Sequence, residues 1–189
     1  ASIDGTAKLW DLAAENPDDS LLLTLEGHQE VVTSLAFSGD GALLASGSFD
    51  RTIKVWSVED LEEITTLSGH EFAVTSVVFV PEQEQVISGS LDTTVRVWDL
   101  ENGAELYRFS GHTDAVFSVD ISPNGSTAAS GSWDDVRVWD FETAQELIKL
   151  KGHKWPAMHL FFGKDGKLLF SGGADSTMFV WDVSNRKGE

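Results

Sequence analysis

Three residue types that together can do hydrolytic chemistry, Ser, His and Asp, recur in this sequence at fixed distances. His28, His70, His112 and His153 are each followed 18 residues on by a serine: Ser46, Ser88, Ser130 and Ser171. Four residues after each serine comes an aspartate: Asp50, Asp92, Asp134 and Asp175. A serine nucleophile, a histidine base and an orienting aspartate are the parts of an acyl-transfer triad. A catalytic centre, however, is built once per domain, and this set occurs four times. Each set also ends on a tryptophan (Trp56, Trp98, Trp139 and Trp181), whose indole N–H needs an acceptor when buried. The recurring set therefore reads as structural and the chain as a non-enzyme.

Other chemistries find little support. With no cysteine there is no disulfide, thiolate metal site or cysteine nucleophile. Four of the five histidines are the repeat markers, and no metal-ligand spacing or glycine-rich phosphate loop is present, so neither a metal nor a cofactor is expected. His159, within Met-His-Leu-Phe-Phe, reads as a partly buried strand residue. Asn124-Gly125-Ser126 fits a glycosylation acceptor but falls where every unit has a hairpin turn.

The elements that position these residues are short strands. Each repeating histidine follows a glycine, and the four histidines are 42, 42 and 41 residues apart. Within a unit, β-rich runs such as Val74–Phe79 and Val116–Ile121 are followed by turn clusters: Ser38-Gly39-Asp40-Gly41, Ser122-Pro123-Asn124-Gly125 and Gly163-Lys164-Asp165-Gly166. A small-residue strand comes next, then the Asp turn, a third strand ending at Trp, and a fourth leading to the next Gly-His. No segment has a helical period. The unit is a four-stranded meander.

The Gly-His pair, the Ser-Gly-Ser-x-Asp turn and the Trp-Asp end resemble the WD40 repeat over nearly the whole chain. The resemblance implies an all-β fold: a β-propeller of four complete repeats plus an N-terminal partial one. Residues 1–12 are then a third-strand remnant, followed by repeats at 13–58, 59–100, 101–141 and 142–183 and a tail at 184–189. It also implies that Asp, His, Ser and Trp of each repeat form a hydrogen-bonded chain, here His28–Ser46–Asp50–Trp56 and its three counterparts.

Two units depart from the pattern. The third has one residue fewer between Asp134 and Trp139, so its turn must be tighter or Trp139 displaced. The first connection is four residues longer, in the polar stretch Ala13–Ser20, which reads as an outer loop. Strand counting also leaves the ring unclosed. The chain opens at Ala1 inside a unit, as an excised piece would, and has five Trp ends but four Gly-His starts. Leu21–Leu25 could complete the last blade, leaving residues 3–12 over. The chain thus reads as part of a larger ring, with a self-associating half-ring or a small ring as alternatives.

Composition narrows the partners. Thirteen Lys and Arg against 31 Asp and Glu give a net charge of -18, opposite to what nucleic acid or an anionic membrane attracts. No apolar run is long enough to span a bilayer and no signal-peptide pattern is present, so an intracellular, cytoplasmic placement is expected. The resemblance implies a platform that binds a protein or peptide on its top face. There it points to Phe49, Leu91 and Trp133 just before the turn aspartates, to Phe117 and Met158 opening first strands, and to Phe72 and Trp155 in adjoining loops. Trp133 and Trp155 are the two tryptophans not needed as repeat markers. The many carboxylates of the blade-edge loops read first as keeping the protein soluble; the alternative is that Glu30, Asp114 and Asp135 around the patch select a Lys/Arg-rich peptide. Self-association through open propeller edges is a further expectation, and a sensor region of a larger signalling protein is the alternative role.

Overall fold

The computed structural model describes residues 1–13, 15–16, 20–133 and 135–184. Asp134, residues 185–189 of the expected tail, and residues 14 and 17–19 of the expected outer loop lie outside them. Strands β1 (Ala7–Trp10) and β2 (Leu21–Leu25) form a two-stranded ribbon. Three four-stranded sheets follow: β3 (Val32–Phe37), β4 (Leu43–Ser48), β5 (Thr52–Ser57) and β6 (Glu63–Ser68); β7 (Val74–Phe79), β8 (Gln85–Ser90), β9 (Val95–Asp99) and β10 (Glu105–Phe109); and β11 (Val116–Ile121), β12 (Thr127–Ser132), β13 (Val136–Asp140) and β14 (Glu146–Leu150). The last sheet has three strands: β15 (Ala157–Phe162), β16 (Leu168–Gly173) and β17 (Met178–Asp182). Each sheet is an antiparallel meander, and no helix occurs among the described residues.

Local chemistry explains the hairpins. In the first sheet Gly41 takes φ +76° and Asp40 Oδ1 accepts the Ala42 N–H at 3.0 Å, closing the turn between β3 and β4. Asn124 and Gly125 repeat this in the third sheet. The second sheet lacks the glycine, and Glu82 itself adopts a positive φ of 57°.

The core lies between sheets. Ile53, Val55 and Leu67 of the first sheet pack against Val74, Val77 and Phe79 of the second. Val95, Val97 and Phe109 meet Val116, Val119 and Ile121 in the same way, and Val136 and Val138 meet Ala157 and Phe162. The glycine of Ser-Gly-Ser makes this packing possible. A Cβ on Gly47 or Gly89 would come within 2.8 Å of the Val74 or Val116 Cγ1, and one on Gly131 within 2.7 Å of the Ala157 carbonyl. Side chains then pin neighbouring inner strands together. Thr33 and Thr75 donate to the Val74 and Val116 carbonyls, Ser34 and Ser76 accept the Val77 and Val119 N–H groups, and Asp120 Oδ2 accepts the Phe162 N–H at 2.6 Å.

The third unit's missing residue comes out of its turn. Gly131 pairs with Val136 and Ala128 with Trp139, the register of Gly47 with Ile53 and Leu44 with Trp56. Trp139 stays buried. The expected completion of the last blade by Leu21–Leu25 does not occur. β2 pairs with β1, the strand nearest to it along the chain, where the loop to be closed is shortest. The propeller is partial and its sheets are not closed into a ring.

Candidate binding surface

The four Ser-His-Asp sets are best seen in the second sheet. Asp92 Oδ2 lies 2.7 Å from His70 Nδ1, His70 Nε2 lies 2.7 Å from Ser88 Oγ, and Trp98 Nε1–H donates to Ser88 Oγ at 2.8 Å. A carboxylate only accepts, so the neutral imidazole carries its proton on Nδ1 and takes the serine hydroxyl's hydrogen on Nε2. That is the order of a catalytic triad, but the serine is held differently. The indole N–H occupies its lone pair, and all four serines are at most 1% exposed. The set braces the turn against the strands.

The same chain runs through His28, Ser46, Asp50 and Trp56 and through His153, Ser171, Asp175 and Trp181, where His153 to Asp175 is 3.2 Å. In the third unit His112 Nε2 and Trp139 Nε1 both meet Ser130 Oγ; Asp134 lies outside the described residues. Burial pushes the Asp50 carboxyl up, but bonds from Thr52, the Gln29 N–H and His28 outweigh it and bring it down to about 2. Burial likewise raises Asp92, and the His70 and Thr94 bonds overcome it, holding that carboxyl well below the usual range. The Thr177 hydroxyl and the Lys154 N–H do the same for Asp175.

One marker escaped the sequence reading. Two residues before Trp stands a cation, Lys54, Arg96 or Arg137, and nine residues after that cation a glutamate, Glu63, Glu105 or Glu146, pairs with it from the fourth strand. Arg96 also donates to the Gly69 carbonyl and to Asp92. The fixed spacing of nine was the available signal. In the last sheet the cation is replaced by Phe179, whose ring lies 4.7 Å from His153 and 5.0 Å from Trp181.

The seven residues singled out for partner binding fall into two linked groups and one outlier. Phe49, Leu91, Phe117 and Met158 line a single open groove of about 640 Å³ along the inner strands. Trp133 and Trp155 stand beside it, 50% and 55% exposed, with ring centroids 5.8 Å apart in an edge-to-face contact. Phe117 joins the groups, its ring 6.4 Å from Trp133. Phe72 is exposed on its loop and does not line the groove.

Two sequence expectations change here. His159 is exposed and lines the groove: it holds the place of Ser34, Ser76 and Ser118, whose hydroxyls bond the next sheet's inner strand, and among the described residues no further sheet covers β15. Asp135 is engaged by Lys149 Nζ at 2.8 Å, so its charge is partly neutralised, while Glu30 and Asp114 are exposed. Among the described residues no three His, Cys, Asp or Glu side chains converge as a metal site requires.

Comparison with known proteins follows the repeat. Residues 19–57, 61–99, 103–140 and 144–182 each match the model of the WD domain, G-beta repeat. The Periodic tryptophan protein 2 homolog of Schizosaccharomyces pombe is 53% identical over 38 residues, covering 20% of this chain and 4% of its own. Protein ROOT INITIATION DEFECTIVE 3 of Arabidopsis thaliana is 46% identical over 56 residues, 30% of this chain and 12% of its own. WD repeat and SOCS box-containing protein 1 of Homo sapiens is 43% identical over 58 residues, 30% of this chain and 13% of its own. The chain thus spans a small part of the length of these relatives.

Proposed function

This chain belongs to the WD40 family, and on that premise we propose that it holds a peptide segment of a protein partner across the aromatic rim and groove, without catalysing a reaction. WD40 repeats generally mediate protein–protein scaffolding. The observation that carries the finer reading is the continuity of surplus aromatic surface. Phe117 lines the groove and meets Trp133, which in turn meets Trp155, and neither tryptophan serves a blade core. Exposed rings at the edge of a preformed groove are the usual anchors of an interface. The net charge of -18, with Glu30 and Asp114 exposed close by, favours a Lys/Arg-rich segment with an apolar anchor.

The test is a set of short Lys/Arg-rich peptides, each with one Trp, Phe or Leu, titrated against the protein by fluorescence anisotropy. Phe49→Ala and Trp133→Ala are each expected to weaken the best binder by about tenfold or more, the effect of losing a hot-spot ring, with the melting temperature unchanged. Normal binding by both variants would remove the patch from the interface. Failure of every peptide to bind would remove the basic segment as its ligand.

A further inference from the structure

Another recess lies at the opposite end of the strands from the aromatic rim. It holds about 580 Å³ between the β3–β4 turn and the β7–β8 turn, and its walls are two complete four-stranded sheets. Leu43, Pro81 and Leu100, each partly exposed, form an apolar lining over buried Phe79 and Val80. With six residues in β8, each rising about 3.3 Å, the recess is roughly 20 Å from the turn that carries Leu91.

The rim of this recess carries one sign of charge. Asp40 stands on the first turn and Glu82 and Glu84 on the second, all exposed, and no Lys or Arg lines the recess. Asp40 Oδ1 is taken by the Ser38 hydroxyl at 2.6 Å and the Ala42 N–H at 3.0 Å, which leaves Oδ2 open. The second turn departs from its sisters. Val80 stands where the hydroxyls of Ser38 and Ser122 accept the Leu43 and Thr127 N–H groups, and Glu82 where those turns have Asp40 and Asn124. The exchange puts an apolar side chain at the floor, and among the described residues neither Glu82 nor Glu84 has an ion-pair partner. The third turn, Pro123 to Ser126, is uncharged, and the fourth carries Lys164 and Lys167 beside Asp165, so the acidic rim is particular to this junction.

We propose that this recess is a second docking site, which takes an arginine side chain from an extended segment of a protein partner. The aliphatic stem lies along Leu43, Pro81 and Leu100, and the guanidinium head meets Asp40, Glu82 and Glu84. No three carboxylates among the described residues converge as a metal ion requires, and the apolar lining favours a cation that carries a hydrocarbon stem. Arginine suits the rim better than lysine, because its planar fork engages carboxylates on two sides and is less strongly hydrated than an ammonium. The site is separate from the aromatic rim and groove, with which it shares no lining residue.

Methyl and amide NMR on the full chain tests this with the peptide acetyl-Gly-Ser-Arg-Ser-Gly-amide and its counterpart with Met in place of Arg. The Arg peptide is expected to shift the Leu43 and Leu100 methyl signals and the Glu82 and Glu84 amides saturably, more weakly at high salt. The Met peptide is expected to leave them in place. Glu82→Gln combined with Glu84→Gln is expected to weaken the Arg peptide about tenfold, with the melting temperature unchanged. Absent shifts, equal shifts with the Met peptide, or an unchanged affinity in the double variant would each overturn the inference. So would a two-chain mass in light scattering that the double variant loses, which would put the Lys164–Lys167 turn of a second copy in the recess. Shifts confined to the Trp133 and Trp155 indoles would overturn it and leave the proposed function standing.

Discussion

Asp92 makes the case at the scale of single residues. Its two oxygens accept from His70, the Glu71 and Thr94 N–H groups, the Thr94 hydroxyl and Arg96. Asp92→Ala strips all of these donors of their acceptor and is expected to cost about 3 kcal/mol, as for breaking charge-assisted bonds in a buried network, measured by urea unfolding. Asp120 behaves oppositely. Burial pushes its carboxyl up to about 6, against the pull of the Phe162 and Ile121 N–H groups. Its folded pKa lies above the unfolded value of about 3.9, so its contribution is most favourable at low pH and is lost as pH rises through about 6. Asp120→Asn keeps an acceptor for Phe162 without the charge. The variant is expected to be more stable than the parent at pH 8, with the difference fading towards pH 4.5, as thermal melts across that range would reveal. Asp50, held down to about 2, works the other way, its stabilisation present above about pH 4 and lost towards pH 2.

For the strands and turns, the glycines of Ser-Gly-Ser decide how close neighbouring sheets come. Gly89→Ala forces a methyl to within 2.8 Å of Val116 and 2.9 Å of Val119, and overpacking of this kind costs about 1–3 kcal/mol; a matching fall in the urea midpoint is expected. The serine, histidine, aspartate and tryptophan of each unit were legible because each must sit at one offset for the bonds to form. The cations Lys54, Arg96 and Arg137 were not, since isolated charged residues read as solvated surface until a fourth-strand glutamate is seen beside them. His159 was misjudged for a related reason. It holds the place of Ser34, Ser76 and Ser118, which the next sheet covers, and the local sequence does not show that β15 has no sheet over it.

Across the whole molecule, the same glycine changes meaning with position. Gly172→Ala has room for its methyl, so its melting temperature is expected to match the parent's, where that of Gly89→Ala falls. The groove raises a similar issue, since Phe49, Leu91, Phe117 and Met158 come from four different units and form one surface only because the inner strands stand side by side.

What the sequence by itself determined is the repeat: hydrogen-bonded turns, alternating strands and a fixed tryptophan register are local or near-local interactions, fully encoded within about 42 residues. It also determined where units depart from the repeat, in the polar stretch Ala13–Ser20 and in the residue missing between Asp134 and Trp139. What only the tertiary structure decided is which strand β2 takes as its neighbour, which of the exposed aromatics share a surface, and which faces remain open. Those outcomes depend on contacts between residues far apart in the chain. Chain connectivity favours β1 for β2, and no pattern within a single repeat shows that preference.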